Sequence, residues 1–352
     1  MKVFIKTFGC ELNRADSEVI AGLVNKAGFE LVDSIEKADV VIVNSCGVKL
    51  PTQNKVLDYI KKVPKNKKLI VGGCLTKMLN VKFYAPNIDL VFDTNSITKI
   101  VSLIRKNKSF LSDKQESRIG LPIVRIKKEI AIIPINQGCM GSPCSYCSVK
   151  KARGELKSYK KEDILKQVEK AVEEGCKKIR LTAQDTGCWG KDFGEKLPDL
   201  LKSVLDIKGS FEVRLGMSNP NYVLEYLDEM IKVYKNPKMK KFLHIPVQSG
   251  SDKVLEDMKR RYTVDDFKKI VTRFRKEIPN ICIATDVIIG FPTETVEDFN
   301  KTVELVKEVE PEVLNISKFG SRPDTVASNM KQLLSQEVKR RSVILHKVWK
   351  SQ

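Results

Sequence analysis

One pattern limits the chain more than any other: short, unbroken apolar runs, each followed by an amphipathic stretch. Val40-Val41-Ile42-Val43 and Leu69-Ile70-Val71 carry no polar residue at alternate positions, as a strand with one wet face would. Such strands are buried on both faces, and helices between them imply a parallel sheet covered on both sides. Val3–Thr7 reads as another strand of this unit, and Ala15–Ala27 as a helix that begins near Asp16 and Ser17 and stops at Gly28. A helix over Ile97–Arg105 closes residues 1–105 as an N-terminal α/β domain. The polar stretch Lys106–Ser117 opens a linker expected to occupy residues 106–128.

A longer βα series follows over residues 129–330. Its strands are expected at Ile130–Ile135, Lys178–Thr182, Phe211–Leu215, Phe242–Val247, Ile281–Ile289 and Val313–Ser317. The alternating helices are Lys161–Glu174, Leu197–Leu205, Tyr222–Val233, Val264–Glu277 and Val296–Val309, with Glu337–Trp349 as the helix of a C-terminal segment, 331–352. Six repeats suggest a partial (βα)6 barrel, since closure takes eight. Its chemistry belongs at the carboxyl ends of the strands.

Composition narrows the setting. Of 352 residues, 42% are hydrophobic and 30% charged, a soluble globular balance. No segment reads as a signal peptide or membrane span, so a cytoplasmic protein without membrane association is expected. In that compartment nine cysteines are not a disulfide framework; metal ligands and buried thiols remain. The net charge of +19 would attract a polyanion such as RNA or DNA, although lysine-rich usage alone can also produce it.

Cys139, Cys144 and Cys147 directly follow the first barrel strand, on a loop containing Gly138, Gly141 and Pro143. Three close cysteines there can wrap one side of an iron–sulfur cubane and leave one iron free of protein. Zinc would want a fourth ligand nearby, and the two histidines, His244 and His346, are distant in sequence. Cys10, Cys46 and Cys74 are far apart, yet each follows a predicted parallel strand, in TFGC, VNSC and VGGC. All three should therefore emerge on one sheet edge, where Gly9, Gly72 and Gly73 allow close approach of a bulky ligand. Cys176 and Cys282 read as core cysteines, and Cys188, in a rim loop, is given no role.

The second triplet resembles that of the radical S-adenosylmethionine (SAM) superfamily, with a departure: C-x4-C-x2-C here against the usual C-x3-C-x2-C. Both triplets together, in this order, resemble the methylthiotransferase family over residues 1 to about 330. NSCGVK, ARGELKSY, the run Asp185 to Asp192 and RLGMSNP most resemble its archaeal and eukaryotic branch. That branch converts N6-threonylcarbamoyladenosine, beside the tRNA anticodon, to its 2-methylthio form.

The resemblance implies a radical SAM barrel and two [4Fe–4S] clusters. Cys139, Cys144 and Cys147 would hold the cluster that splits SAM. Cys10, Cys46 and Cys74 would hold an auxiliary cluster carrying the sulfur to be inserted. It also implies tRNA as partner through its anticodon loop, and a reductant protein. No catalytic side chain is implied beyond the cluster ligands. Family members usually continue into a TRAM β-barrel that grips tRNA; none is expected in this chain, so either a separate RNA-binding protein supplies that contact, or the basic surface of the two domains suffices, or the chain is shortened. GSRPDT, Gly320 to Thr325, replaces the family's SPRPGT.

Thr182, Gln184, Asp185 and Gln248 are expected SAM contacts at strand ends. His244 and Gln248 share one face of the fourth barrel strand by period two and are expected to point into the barrel, against the alternative of satisfied core polar residues. Arg153 and Arg322 are candidates for the cofactor carboxylate or RNA phosphate, against an ordinary solvated role. Two other functions stay open: methylthiolation of a ribosomal-protein aspartate, and a non-catalytic metal-containing RNA-binding protein.

Overall fold

Period-two burial sorts the first sheet. Val40 and Ile42 join Val3, Val19, Ile20 and Ile70 in one apolar layer, while Val41 and Val43 join Val56, Ile60, Leu69 and Val71 in another. All six residues of the strand Val40–Ser45 are buried, as expected where helices cover both faces. The strands are β1 (Lys2–Thr7), β2 (Glu30–Leu31), β3 (Val40–Ser45), β4 (Lys68–Gly73) and β5 (Leu90–Val91). Their order is β2-β1-β3-β4-β5, and the pairing is parallel throughout.

The computed structural model describes residues 1–140 and 144–352. Gly141, Ser142 and Pro143, and with them the extra spacing between Cys139 and Cys144, lie outside the described residues. The described chain forms two compact units, Met1–Cys139 with Ser148–Gln184, and Met140–Cys147 with Asp185–Gln352.

In the first unit, helix α1 spans Glu11–Lys26 and starts four residues before the expected Ala15. Cys10 takes the extended N-cap conformation (φ −91°, ψ 179°). The polar residues Asn13 and Asp16 are buried, and that concealed the helical pattern at its beginning. Residues 106–128, expected as a linker, are instead tied to this unit. Val124 N donates to Glu18 O at 3.0 Å and Ile126 N to Glu18 Oε1 at 3.0 Å. Gly22 lets the segment lie flat on α1, since a Cβ there would stand 2.1 Å from Pro122 O. Strands β6 (Ile130–Pro134) and β9 (Lys178–Thr182) pair in parallel, in register Ile130↔Lys178. Short strands β7 (Asn136–Gln137) and β8 (Lys157–Ser158) pair antiparallel. Between those two lies helix α2 (Val149–Arg153).

The second unit contains β10 (Glu212–Leu215) and the parallel sheet of β11 (Phe242–His244), β12 (Cys282–Ile289) and β13 (Val313–Lys318). The expected strand Phe242–Val247 ends at His244, because Pro246 has no N–H to continue the ladder. The expected helix Tyr222–Val233 is two helices, Pro220–Glu225 and Leu227–Tyr234. They break at Tyr226, which is buried and donates its hydroxyl to Gly187 O. Val264–Glu277 and Val296–Val309 begin with capping boxes, Thr263/Asp266 and Thr295/Asp298. Among the described residues no helix is long and apolar enough to cross a membrane.

Candidate functional site

The first thiol group is built by the ends of three strands. Cys10 follows β1 and caps α1, Cys46 follows β3, and Cys74 opens the short helix Cys74–Met78 directly after β4. Parallel pairing of adjacent strands carries all three to one edge, as expected from the sequence. Gly9 (φ +109°) makes the turn into Cys10. A Cβ on it would meet Cys46 Cβ at 2.7 Å and Cys46 Sγ at 3.1 Å.

Asn13 is the hub of this edge. Its Nδ2 donates to Phe8 O and to Ser45 O, each at 2.9 Å, which pins the ends of β1 and β3. Its Oδ1 lies 3.6 Å from Cys10 Sγ and 3.9 Å from Cys74 Sγ. Arg153, at the end of α2 and 1% exposed, places Nη2 at 2.9 Å from the same oxygen and Nε at 3.2 Å from Cys74 Sγ. Asp16, fully buried, binds Arg153 Nη1 through Oδ2 at 2.7 Å and Arg118 Nε through Oδ1 at 2.6 Å. Burial pushes the Cys74 thiol up to about 11 and also raises Cys46, while Arg153 opposes both shifts. Burial works against the charge of Arg153, but Asp16 and the neighbouring cysteines hold it protonated. Arg153 is therefore neither solvated nor free to take an RNA phosphate. Its burial beside sulfur corrects both expectations.

In the second unit Cys144 and Cys147 form a turn, Cys147 N donating to Cys144 O at 3.0 Å. Ser145 anchors it through Oγ to Asp257 O (2.7 Å) and N to Met258 O (3.1 Å), and accepts from Ala327 N at 2.8 Å. Arg260 places Nη1 3.2 Å from Cys144 Sγ, Nη2 2.6 Å from Asn219 Oδ1 and Nε 3.0 Å from the Tyr262 hydroxyl. Asp185 accepts from Gly187 N at 2.9 Å and Asn219 N at 3.1 Å. Burial raises its carboxyl to about 6, against the pull of those donors and of Arg260. Asp185, Asn219, Arg260 and Cys144 thus form one polar chain.

The other candidates are placed as follows. Cys139, in the first unit, donates N to Gly154 O at 3.3 Å. Gly138, just before it, donates N to Gln184 Oε1 at 3.0 Å, so Gln184 holds the strand-to-cysteine turn. Thr182, buried, accepts at its carbonyl from Ile135 N (3.0 Å). Gln248 lies past the end of β11 with φ +72°, paired through its backbone with Asp286 and Ile288. It does not continue the face of His244, whose Nε2 is 2.7 Å from Asp286 Oδ2. Arg322 is buried. Cys188 Sγ lies 3.3 Å from Asp185 O and Cys176 Sγ 3.2 Å from Lys128 O, both held inside.

Among the described residues no three His, Cys, Asp or Glu side chains are grouped to bind a single metal ion. Three convergent thiols with a buried guanidinium beside them fit a polynuclear cluster instead, in which each sulfur takes its own iron. Sequence reasoning missed Asn13, Asp16, Arg118, Asn219 and Arg260. A signal existed for the first two: polar residues three and six positions after Cys10, on the buried face of an otherwise apolar helix.

Comparisons with known proteins add the following. Residues 133–306 match the Radical SAM superfamily, and residues 2–93 match the uncharacterized protein family UPF0004. A probable threonylcarbamoyladenosine tRNA methylthiotransferase of Pyrococcus horikoshii is 41% identical over 99% of this chain and 84% of its own length. One from Methanothermobacter thermautotrophicus is 42% identical over the same shares. The human threonylcarbamoyladenosine tRNA methylthiotransferase is 38% identical over 99% of this chain and 62% of its own. Among solved structures, the radical S-adenosylmethionine methyltransferase TsrM from Kitasatospora setae covers 93% of this chain and 77% of its own, with a TM-score of 0.66 at 12% identity. At that identity the likeness is one of fold.

Proposed function

Because the chain belongs to the threonylcarbamoyladenosine tRNA methylthiotransferase family, we propose that it converts N6-threonylcarbamoyladenosine beside the tRNA anticodon to its 2-methylthio derivative. It is a radical SAM enzyme of tRNA modification. The observation that carries the reading is the convergence of Cys10 and Cys74 on Asn13 Oδ1, with Cys46 against Gly9. A radical SAM protein with only one cluster would have no need of this second thiol group.

Cys139, Cys144 and Cys147 are assigned to the cluster that binds SAM, and Cys10, Cys46 and Cys74 to an auxiliary cluster. When bound, these groups and SAM supply the electron, the radical and the sulfur group, chemistry that no side chain here provides. The residues have the complementary tasks. Three thiolates per site leave one iron position open to a ligand. Arg260, held by Asn219 and Tyr262, donates toward Cys144 Sγ and stabilises the thiolate. Gln184 is assigned to hold the turn into Cys139, and Thr182, Asp185 and Gln248 to SAM. Gln248 belongs there through its position beside β12 rather than through a shared strand face.

The positive charge of the chain serves a polyanionic substrate. The target base leaves the anticodon loop at modest cost, since single-stranded bases can be splayed out. A separate reductant protein supplies the electrons. The test is anaerobic reconstitution with SAM, reductant and tRNA carrying N6-threonylcarbamoyladenosine, followed by nucleoside mass spectrometry. Appearance of the 2-methylthio nucleoside supports the reading; an unchanged nucleoside alongside cleaved SAM refutes it.

A further inference from the structure

Arg153 reaches the first thiol group from well outside the first hundred residues, and its side chain is buried with those of Asn13, Asp16 and Cys74. Asp16 faces two guanidiniums, those of Arg118 and Arg153, through its two oxygens. Two cations on one carboxylate leave an excess positive charge in the interior, which is costly unless an anion meets it. The side of Arg153 not spent on Asp16 faces the cysteine edge, with Nε 3.2 Å from Cys74 Sγ. Its Nη2 also satisfies Asn13 Oδ1. That oxygen therefore keeps a donor when the cysteines lose their protons, so binding metal at the thiols orphans nothing.

We propose that Arg153 is a positioning residue for the Cys10, Cys46 and Cys74 centre, one that offsets its negative charge and raises its reduction potential. The inference rests on the reading that these thiolates hold a cluster. Net charge and hydrogen bonds to sulfur are what set such potentials, and outer partners orient the ligands. Asp16 and Arg118 keep the guanidinium from swinging away.

The test uses the full chain with Cys139→Ala, Cys144→Ala and Cys147→Ala, reconstituted anaerobically with ferrous iron and sulfide so that only the first centre fills. Iron content and the midpoint of an EPR-monitored dithionite titration are read for this background, with and without Arg153→Gln. The expected result is a midpoint shifted to more negative potential in Arg153→Gln at equal iron. An unchanged midpoint at equal iron overturns the role of Arg153 and leaves the cluster assignment standing. A background protein that binds no iron overturns the cluster assignment itself. Should Arg153→Gln lose its iron, Arg153→Lys decides: iron regained with the charge supports the proposal, and iron equally lost overturns it.

Discussion

Arg260 Nη1 stands 3.2 Å from Cys144 Sγ, a cation brought to a cysteine from 116 positions further along the chain. A hydrogen bond to a ligating sulfur stabilises the thiolate and fixes its direction. Arg260→Gln is expected to lower SAM cleavage about 10–100-fold, the usual cost of removing an outer partner of a metal ligand. The measurement is 5′-deoxyadenosine formed under dithionite, and wild-type rates in the variant would exclude the role.

Asp16 is shared by two buried guanidiniums, Arg118 and Arg153. Asp16→Ala strands both, and loss of one partner of a buried pair costs about 3–5 kcal/mol. A urea titration should show that loss in the midpoint at unchanged slope.

Glu18 supplies a pH signature. Burial raises its carboxyl to about 7, against the Ile126 backbone donor and Arg125. The folded value lies above the unfolded one, so the native state holds the proton more tightly. Unfolding then releases protons between about pH 4.5 and 7, and stability falls as pH rises through that window. Glu18→Gln should flatten the fall, by about 1–2 kcal/mol after allowing for screening. Urea midpoints at pH 5 and pH 7.5 test this; an equal drop in the variant would assign the slope to other groups.

Gly9→Ala should empty the first centre while leaving the second. The new Cβ would sit 2.7 Å from Cys46 Cβ, at a φ of +109° that alanine adopts only with strain, about 1–3 kcal/mol. Iron per chain should fall by about half, with SAM cleavage retained.

Much of this site is legible in the sequence. Apolar runs without alternation gave the parallel strands, and a cysteine after each of three such strands implied one edge. What escaped was set by tertiary contact. Asn13 and Asp16 are polar, so they hid the first turn of α1, yet burial against sulfur and arginine is what makes them matter. Segment 106–128 reads as a linker because it is polar, but Arg118 in it is buried on Asp16. Tyr226 breaks a well-patterned helix because its hydroxyl finds Gly187 O. Arg260 carried no local signal, since nothing near it in sequence announces Cys144.

The central claim is that two separate thiol groups serve two separate tasks. Cys10→Ala/Cys46→Ala/Cys74→Ala protein, reconstituted anaerobically and given SAM, reductant and tRNA carrying N6-threonylcarbamoyladenosine, tests it in one assay with two products. The account predicts that 5′-deoxyadenosine still forms while the 2-methylthio nucleoside disappears. Continued formation of the 2-methylthio nucleoside would contradict it.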